Sequence, residues 1–164
     1  MKRGSTIFLK AIVVLIGIGA LVLMIRFPET EGRATNLDLI SIYTDPFIIY
    51  IYISSIPFFV ALYQAFKLLG YIGQNKVFSQ TSVRSLRRIK YCALTIVGFI
   101  AGAEAFIILN RAGSDDIAGG VAMGIFIGFT SIVIATAAAI FEKILQNAVD
   151  IKSELSLSRP VVGE

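Results

Sequence analysis

The chain contains no histidine and only one cysteine, Cys92, in 164 residues. Without imidazole it has no histidine metal ligand, general base or pH switch. One cysteine closes no internal disulfide and satisfies no zinc or redox spacing. Ser-His-Asp and Cys-His machinery are excluded on the same grounds. Carboxylate-only or serine–lysine chemistry stays open, yet no nucleophile–base pair, phosphate cradle or cofactor motif stands out. The expectation is a chain that is not an enzyme and that holds no metal or cofactor. Charge is also scarce: 16% of residues are charged, against 56% hydrophobic.

What is present is apolar sequence in long runs. The mean hydropathy is +0.80, and a water-soluble domain of this size has too little interior to hide so much apolar surface. Lipid can cover it. A helix crosses the hydrocarbon core with about 20 mostly apolar residues. Four segments meet that length: residues 7–25, 46–70, 91–109 and 117–140. Each is expected to be helical, because an isolated strand leaves its backbone groups unpaired in lipid. The fold class is thus all-α, a four-helix membrane bundle in a single domain spanning residues 1–164, with a tail from residue 143 onward. The first run follows a basic MKR, but no small-residue cleavage site precedes FPETEGR, so it reads as a retained anchor.

The connections carry charge of opposite sign. After span one come Glu29, Glu31, Asp38 and Asp45 against Arg33, and after span three Asp115 and Asp116 against Arg111. The amino terminus has Lys2 and Arg3, and the central connection has Lys76, Arg84, Arg87, Arg88 and Lys90. Lysine and arginine excess marks the cytoplasmic side. Both termini and the central connection are therefore expected in the cytoplasm. The basic residues lack the interleaved aromatics of a nucleic-acid site, so no direct nucleic-acid contact is expected.

That connection does more than orient the chain. In KVFSQTSVRSLRRIKYC, Val83, Leu86 and Ile89 recur at helical spacing while Arg84, Arg87 and Arg88 take the other side. Ser79 or Thr81 can cap the start. The pattern describes a short amphipathic helix before span three, its apolar stripe in the membrane interface and its arginines on anionic headgroups. Beyond span four, Ile144, Ala148, Ile151 and Leu155 keep the helical period, and Asp150 and Glu154 share a face. The tail is expected to prolong span four and lie against the basic helix, its acids meeting Arg84, Arg87 or Arg88. Arg84, Arg87, Arg88, Lys90, Asp150 and Glu154 together make a candidate docking or lipid surface.

Inside the membrane, Glu104 lies about six residues from the outer end of span three, roughly 9 Å below the boundary. Intramembrane acids default to a functional reading with a named partner. Arg26 is the candidate cation, with Tyr50 and Tyr52 as hydrogen-bond donors. The competing reading is a glutamate that joins helices structurally. Gly120, Gly124 and Gly128 begin a stripe of small residues in span four, continued by Ser131, Ala135 and Ala139. Gly98 and Gly102 repeat the spacing in span three, with Glu104 pointing away from them. Packing of spans three and four is the favoured use, and homo-oligomerisation the rival. Pro57 should bend span two, with Ser54 and Ser55 placed to relieve the freed backbone.

These segments carry a family resemblance. MKRGSTIFLK, IPFFVALYQAFKLL, KVFSQTSVRSLRRIKYCA and LQNAVDIKSEL stand in the order found in the YoaS-like family of small bacterial four-span membrane proteins. Where family tails continue with an acidic-polar turn after IKSE, this chain has LSLSRPVVGE. The resemblance covers nearly the whole chain and implies the four-span fold, with no catalytic residues to carry over. Members are often encoded beside a small helix-turn-helix regulator, which implies a DNA-binding protein as partner. The alternative is a subunit of an oligomeric transporter or channel, with Glu104 lining the path.

Overall fold

The computed structural model describes residues 3–30, 46–111 and 117–158. Its regular structure among these residues is entirely helical: α1 Arg3–Thr30, α2 Pro46–Gly73, α3 Gln80–Arg111 and α4 Ile117–Leu157. All four are long and apolar enough to cross a membrane. Each packs extensively on the next in sequence order, α1 on α2, α2 on α3 and α3 on α4, with the last contact the largest. The acidic connections, with Glu31, Arg33, Asp38, Asp45, Asp115 and Asp116, lie outside the described residues, as does the tail from Arg159.

Two helices are far longer than a bilayer needs. At 1.5 Å per residue, the 41 residues of α4 reach about 62 Å and the 32 of α3 about 48 Å, against a hydrocarbon core of about 30 Å. The surplus falls at one end of the molecule, as residues 80–90 of α3 and 141–157 of α4. The amphipathic segment is therefore not a separate short helix. It runs unbroken into span three, because no glycine or proline occurs between Gln80 and Val97 to interrupt it.

The joint between α2 and α3 is built from local chemistry. Asn75 takes a left-handed conformation (φ 57°) at the end of α2. The Lys76 amide donates to the Tyr71 carbonyl (2.9 Å) and the Asn75 amide to that of Ile72 (3.2 Å), the paired bonds of a Schellman cap. Ser79 then caps α3: its hydroxyl oxygen accepts from the Ser82 amide (3.4 Å), and its carbonyl from the amides of Ser82 and Val83. A tight turn so capped at both ends fixes the direction in which α3 leaves α2.

Span two passes Pro57 without a break. Ser54 and Ser55 donate to the carbonyls of Ile51 (2.8 Å) and Tyr52 (2.7 Å), three residues back, rather than to the Ile53 carbonyl that Pro57 leaves without its amide. Helix α1 is held to α2 at both ends. Thr6 lies against Gly73, the Lys10 ammonium sits 4.9 Å above the Phe66 ring, and Tyr52 donates to the Met24 carbonyl (3.1 Å). None of the apolar window of α1 is buried within the protein, as expected for a face given to lipid.

Candidate interaction platform

The tightest packing in the molecule lies where the two long helices pass beyond their apolar runs. Ser82 and Val83 are 0% and 1% exposed, and Ser85, Leu86 and Ala93 are also buried. On α4, Ser131, Ala135, Ala138 and Glu142 are buried, spaced at three and four residues so that they form one stripe running out of the span to its end. The hydroxyl of Ser85 is satisfied by the Thr81 carbonyl (3.1 Å) and that of Ser82 by the Lys76 carbonyl (3.3 Å). The apolar stripe of the basic segment thus corrects the expectation of membrane insertion. Val83 and Leu86 are buried within the protein rather than left to lipid, in an extension where α4 continues alongside α3.

One carboxylate ties this contact at the membrane edge. Glu142 Oε1 accepts from Arg87 Nε at 2.6 Å and its Oε2 from Lys90 Nζ at 2.7 Å. The Lys90 hydrogen bond, followed by that of Arg87, holds the Glu142 carboxyl below the ordinary glutamate range, although burial opposes the shift. The same bond raises Arg87 above its ordinary value. Lys90 also stands 5.1 Å above the Tyr91 ring. Both charge-assisted bonds are short and reach one acceptor from two turns of α3, which is a geometry that fixes rotation as well as distance.

Helix rise explains why Glu142 holds this place and the tail acids do not. Asp150 and Glu154 lie about 12 and 18 Å farther along α4 than Glu142, while Arg84 is only about 4.5 Å beyond Arg87. The expected meeting of Asp150 and Glu154 with Arg84, Arg87 or Arg88 is absent among the described residues. Asp150 instead accepts from Gln146 (2.8 Å) on its own helix, and Glu154 is exposed. Arg84 and Arg88 remain exposed. The register was available from sequence: span three begins near Tyr91 and span four ends near Ile140, so antiparallel helices set residue 142 level with residues 87–90.

Past the clasp, the α2–α3 turn and the α4 tail border a groove of about 790 Å³. Tyr71, Phe78 and Ile151 supply its apolar surface, Lys76 and Lys152 its charge, and no carboxylate lines it among the described residues. Phe78 and Ile151 are more than half exposed.

In the membrane, Glu104 does not point away from the glycines of span four. A Cβ at Gly124 would collide with Glu104 Oε1, and one at Gly128 would meet Ile100 at 3.7 Å. The contact face of α3 is therefore the Ile100–Glu104 side. Gly98 and Gly120 face open space, and Gly102 lies against the Tyr50 hydroxyl of α2 instead. Tyr50 donates to the Phe99 carbonyl (2.6 Å) and meets the Phe99 ring edge-on. Glu104 Oε1 is buried with no hydrogen-bond partner among the described residues. No group of three or more acidic or thiol side chains gathers into a metal site among them.

Four apolar helices with a packed extension at one end define an all-α integral membrane protein. The chain belongs to the family described as a protein of unknown function (DUF2975), whose model matches residues 29–158. It is 47% identical over 161 residues to the Bacillus subtilis (strain 168) uncharacterized membrane protein YoaS, covering 96% of this chain and 99% of that one. No solved structure matches.

Proposed function

We propose that this protein is a non-enzymatic membrane partner that holds or releases a small cytoplasmic regulator of the helix-turn-helix kind. In this reading the basic connection and both termini lie in the cytoplasm of a bacterial cell, following the Lys76, Arg84, Arg87, Arg88 and Lys90 excess. The observation that carries it is the investment of the deepest burial among the described residues in the extension beyond the spans, around Ser82, Val83 and Ser85. A chain that only crosses lipid has no need of a rigid platform there. That platform presents Arg84 and Arg88 together with the groove between Lys76 and Lys152, a surface suited to an acidic face of a partner. The regulator touches DNA; this chain does not.

Affinity capture of the full chain from solubilised membranes tests the reading. Recovery of a small DNA-binding regulator, abolished by Arg84→Glu with Arg88→Glu, supports it; both arginines are exposed, so the fold is spared. Capture that returns only lipid-handling proteins, or that is unaffected by the double reversal, refutes it.

The unpaired Oε1 of Glu104 favours a second reading, a subunit of an oligomeric transporter or channel. Glu104→Gln then abolishes solute flux in proteoliposomes that the wild type supports, and unchanged flux removes Glu104 from the path.

A further inference from the structure

A second cleft, of about 300 Å³, opens beside the clasp between α3 and α4. Arg87, Lys90 and Lys143 bring three cations to its lining, and Glu142 is the one carboxylate there, so two positive charges stay uncompensated. Arg87 and Lys90 share that carboxylate. Lys143 has no ion partner among the described residues and carries the uncommitted charge. Gln146, whose side-chain amide also donates to Asp150, and Asn147 complete the rim.

Register sets the depth of this cleft. The apolar run of span three starts at Tyr91 and that of span four stops at Phe141, so the cleft sits where hydrocarbon gives way to headgroups. The same helix faces continue into the membrane. Leu94 follows Lys90 by four residues, and Ile140 precedes Lys143 by three. Both are widely exposed, at 49% and 55%. A soluble anion meets only the cations here, whereas an anion carrying acyl chains also meets an apolar wall directly below them. We propose that this cleft binds the phosphodiester headgroup of an anionic phospholipid, with its acyl chains lying along Leu94 and Ile140. A phosphodiester accepts several hydrogen bonds at once, which suits a small cleft lined by a guanidinium, two ammoniums and two side-chain amides, with Lys143 the cation not already committed to Glu142. Neither Arg84, Arg88 nor the groove takes part, so this site and the regulator reading stand or fall separately.

Native mass spectrometry of the full chain in detergent tests the site, by titration with phosphatidylglycerol or phosphatidylcholine of matched chains. The wild type retains phosphatidylglycerol over phosphatidylcholine by at least about fivefold, and Lys143→Gln lowers that preference about fivefold, the typical contribution of one basic residue near an anionic surface. Lys143→Arg preserves the preference, as does Lys152→Gln in the groove. Equal retention of the two lipids overturns the proposal. So does a loss with Lys152→Gln as large as with Lys143→Gln, which signals diffuse surface charge. Displacement of the lipid by millimolar inorganic phosphate overturns it too, since the ligand is then a free anion.

Discussion

Leu86→Ala separates a stripe packed on protein from one lying in lipid headgroups. Leu86 is 7% exposed, so it is buried within the protein rather than open to lipid. Truncation removes three carbon atoms, about 2.4 kcal/mol at about 0.8 kcal/mol per buried methylene. The cavity left behind brings buried Leu→Ala changes into a range of about 2–5 kcal/mol. Taking the transfer figure of about 2.4 kcal/mol, the opening equilibrium of the extension shifts about 50-fold. Native-state hydrogen exchange in nanodiscs reads this directly, because local opening reports the stability of each segment. Amides of residues 80–90 and 138–150 should lose protection about 50-fold while those deep in spans one and two do not change. Leu155→Ala, at a site 64% exposed, is the control and should move protection by less than about 0.5 kcal/mol. Equal, small effects from the two variants would refute the packed platform.

Other consequences follow from the same geometry. Glu142 titrates below its ordinary value of 4.5 in the folded chain, so its contribution is complete above that pH and is lost as pH falls through the lowered value. Thermal melting followed by circular dichroism from pH 7 to pH 3 should show a loss in the wild type that Glu142→Gln lacks; parallel curves would contradict the clasp. Gly124→Leu should destabilise the α3–α4 contact by about 1–3 kcal/mol in reversible unfolding, since its side chain enters the space of Glu104, whereas Gly120→Leu enters open space and should cost little. Asn75→Ala should cost about 1–2 kcal/mol in the same assay and Asn75→Gly nothing or less, because of the left-handed backbone at that position.

The spans were legible in the sequence because apolar length is a one-dimensional property, and helix spacing alone marked Val83 and Leu86 as one stripe. What covers that stripe was not, since periodicity identifies a buried face without naming its neighbour. Lipid and α4 satisfy the same pattern, and the long continuation of α4 decides between them. Glu142 is hidden in the sequence for a related reason. FEKIL reads as an ordinary charged end to an apolar run, while Asp150 and Glu154 form a visible pair. Only the antiparallel register, counted from Tyr91 and Ile140, singles out the acid level with Arg87 and Lys90. Glu104 shows the limit of arguing from the glycines of one helix. Gly98 and Gly102 mark one side of span three as a contact face by spacing, yet glycines on span four accept large side chains, Ile100 and Glu104, from its other side.

Zero-length carbodiimide coupling on the wild-type chain in native membranes, read by peptide mass spectrometry, tests the central arrangement most directly. A lysine ammonium 2.7 Å from a carboxylate oxygen is placed to form an amide bond, so a Lys90–Glu142 cross-link within one chain is the predicted product. Recovery of Lys90 joined to Asp150 or Glu154, with no Lys90–Glu142 product, would contradict it.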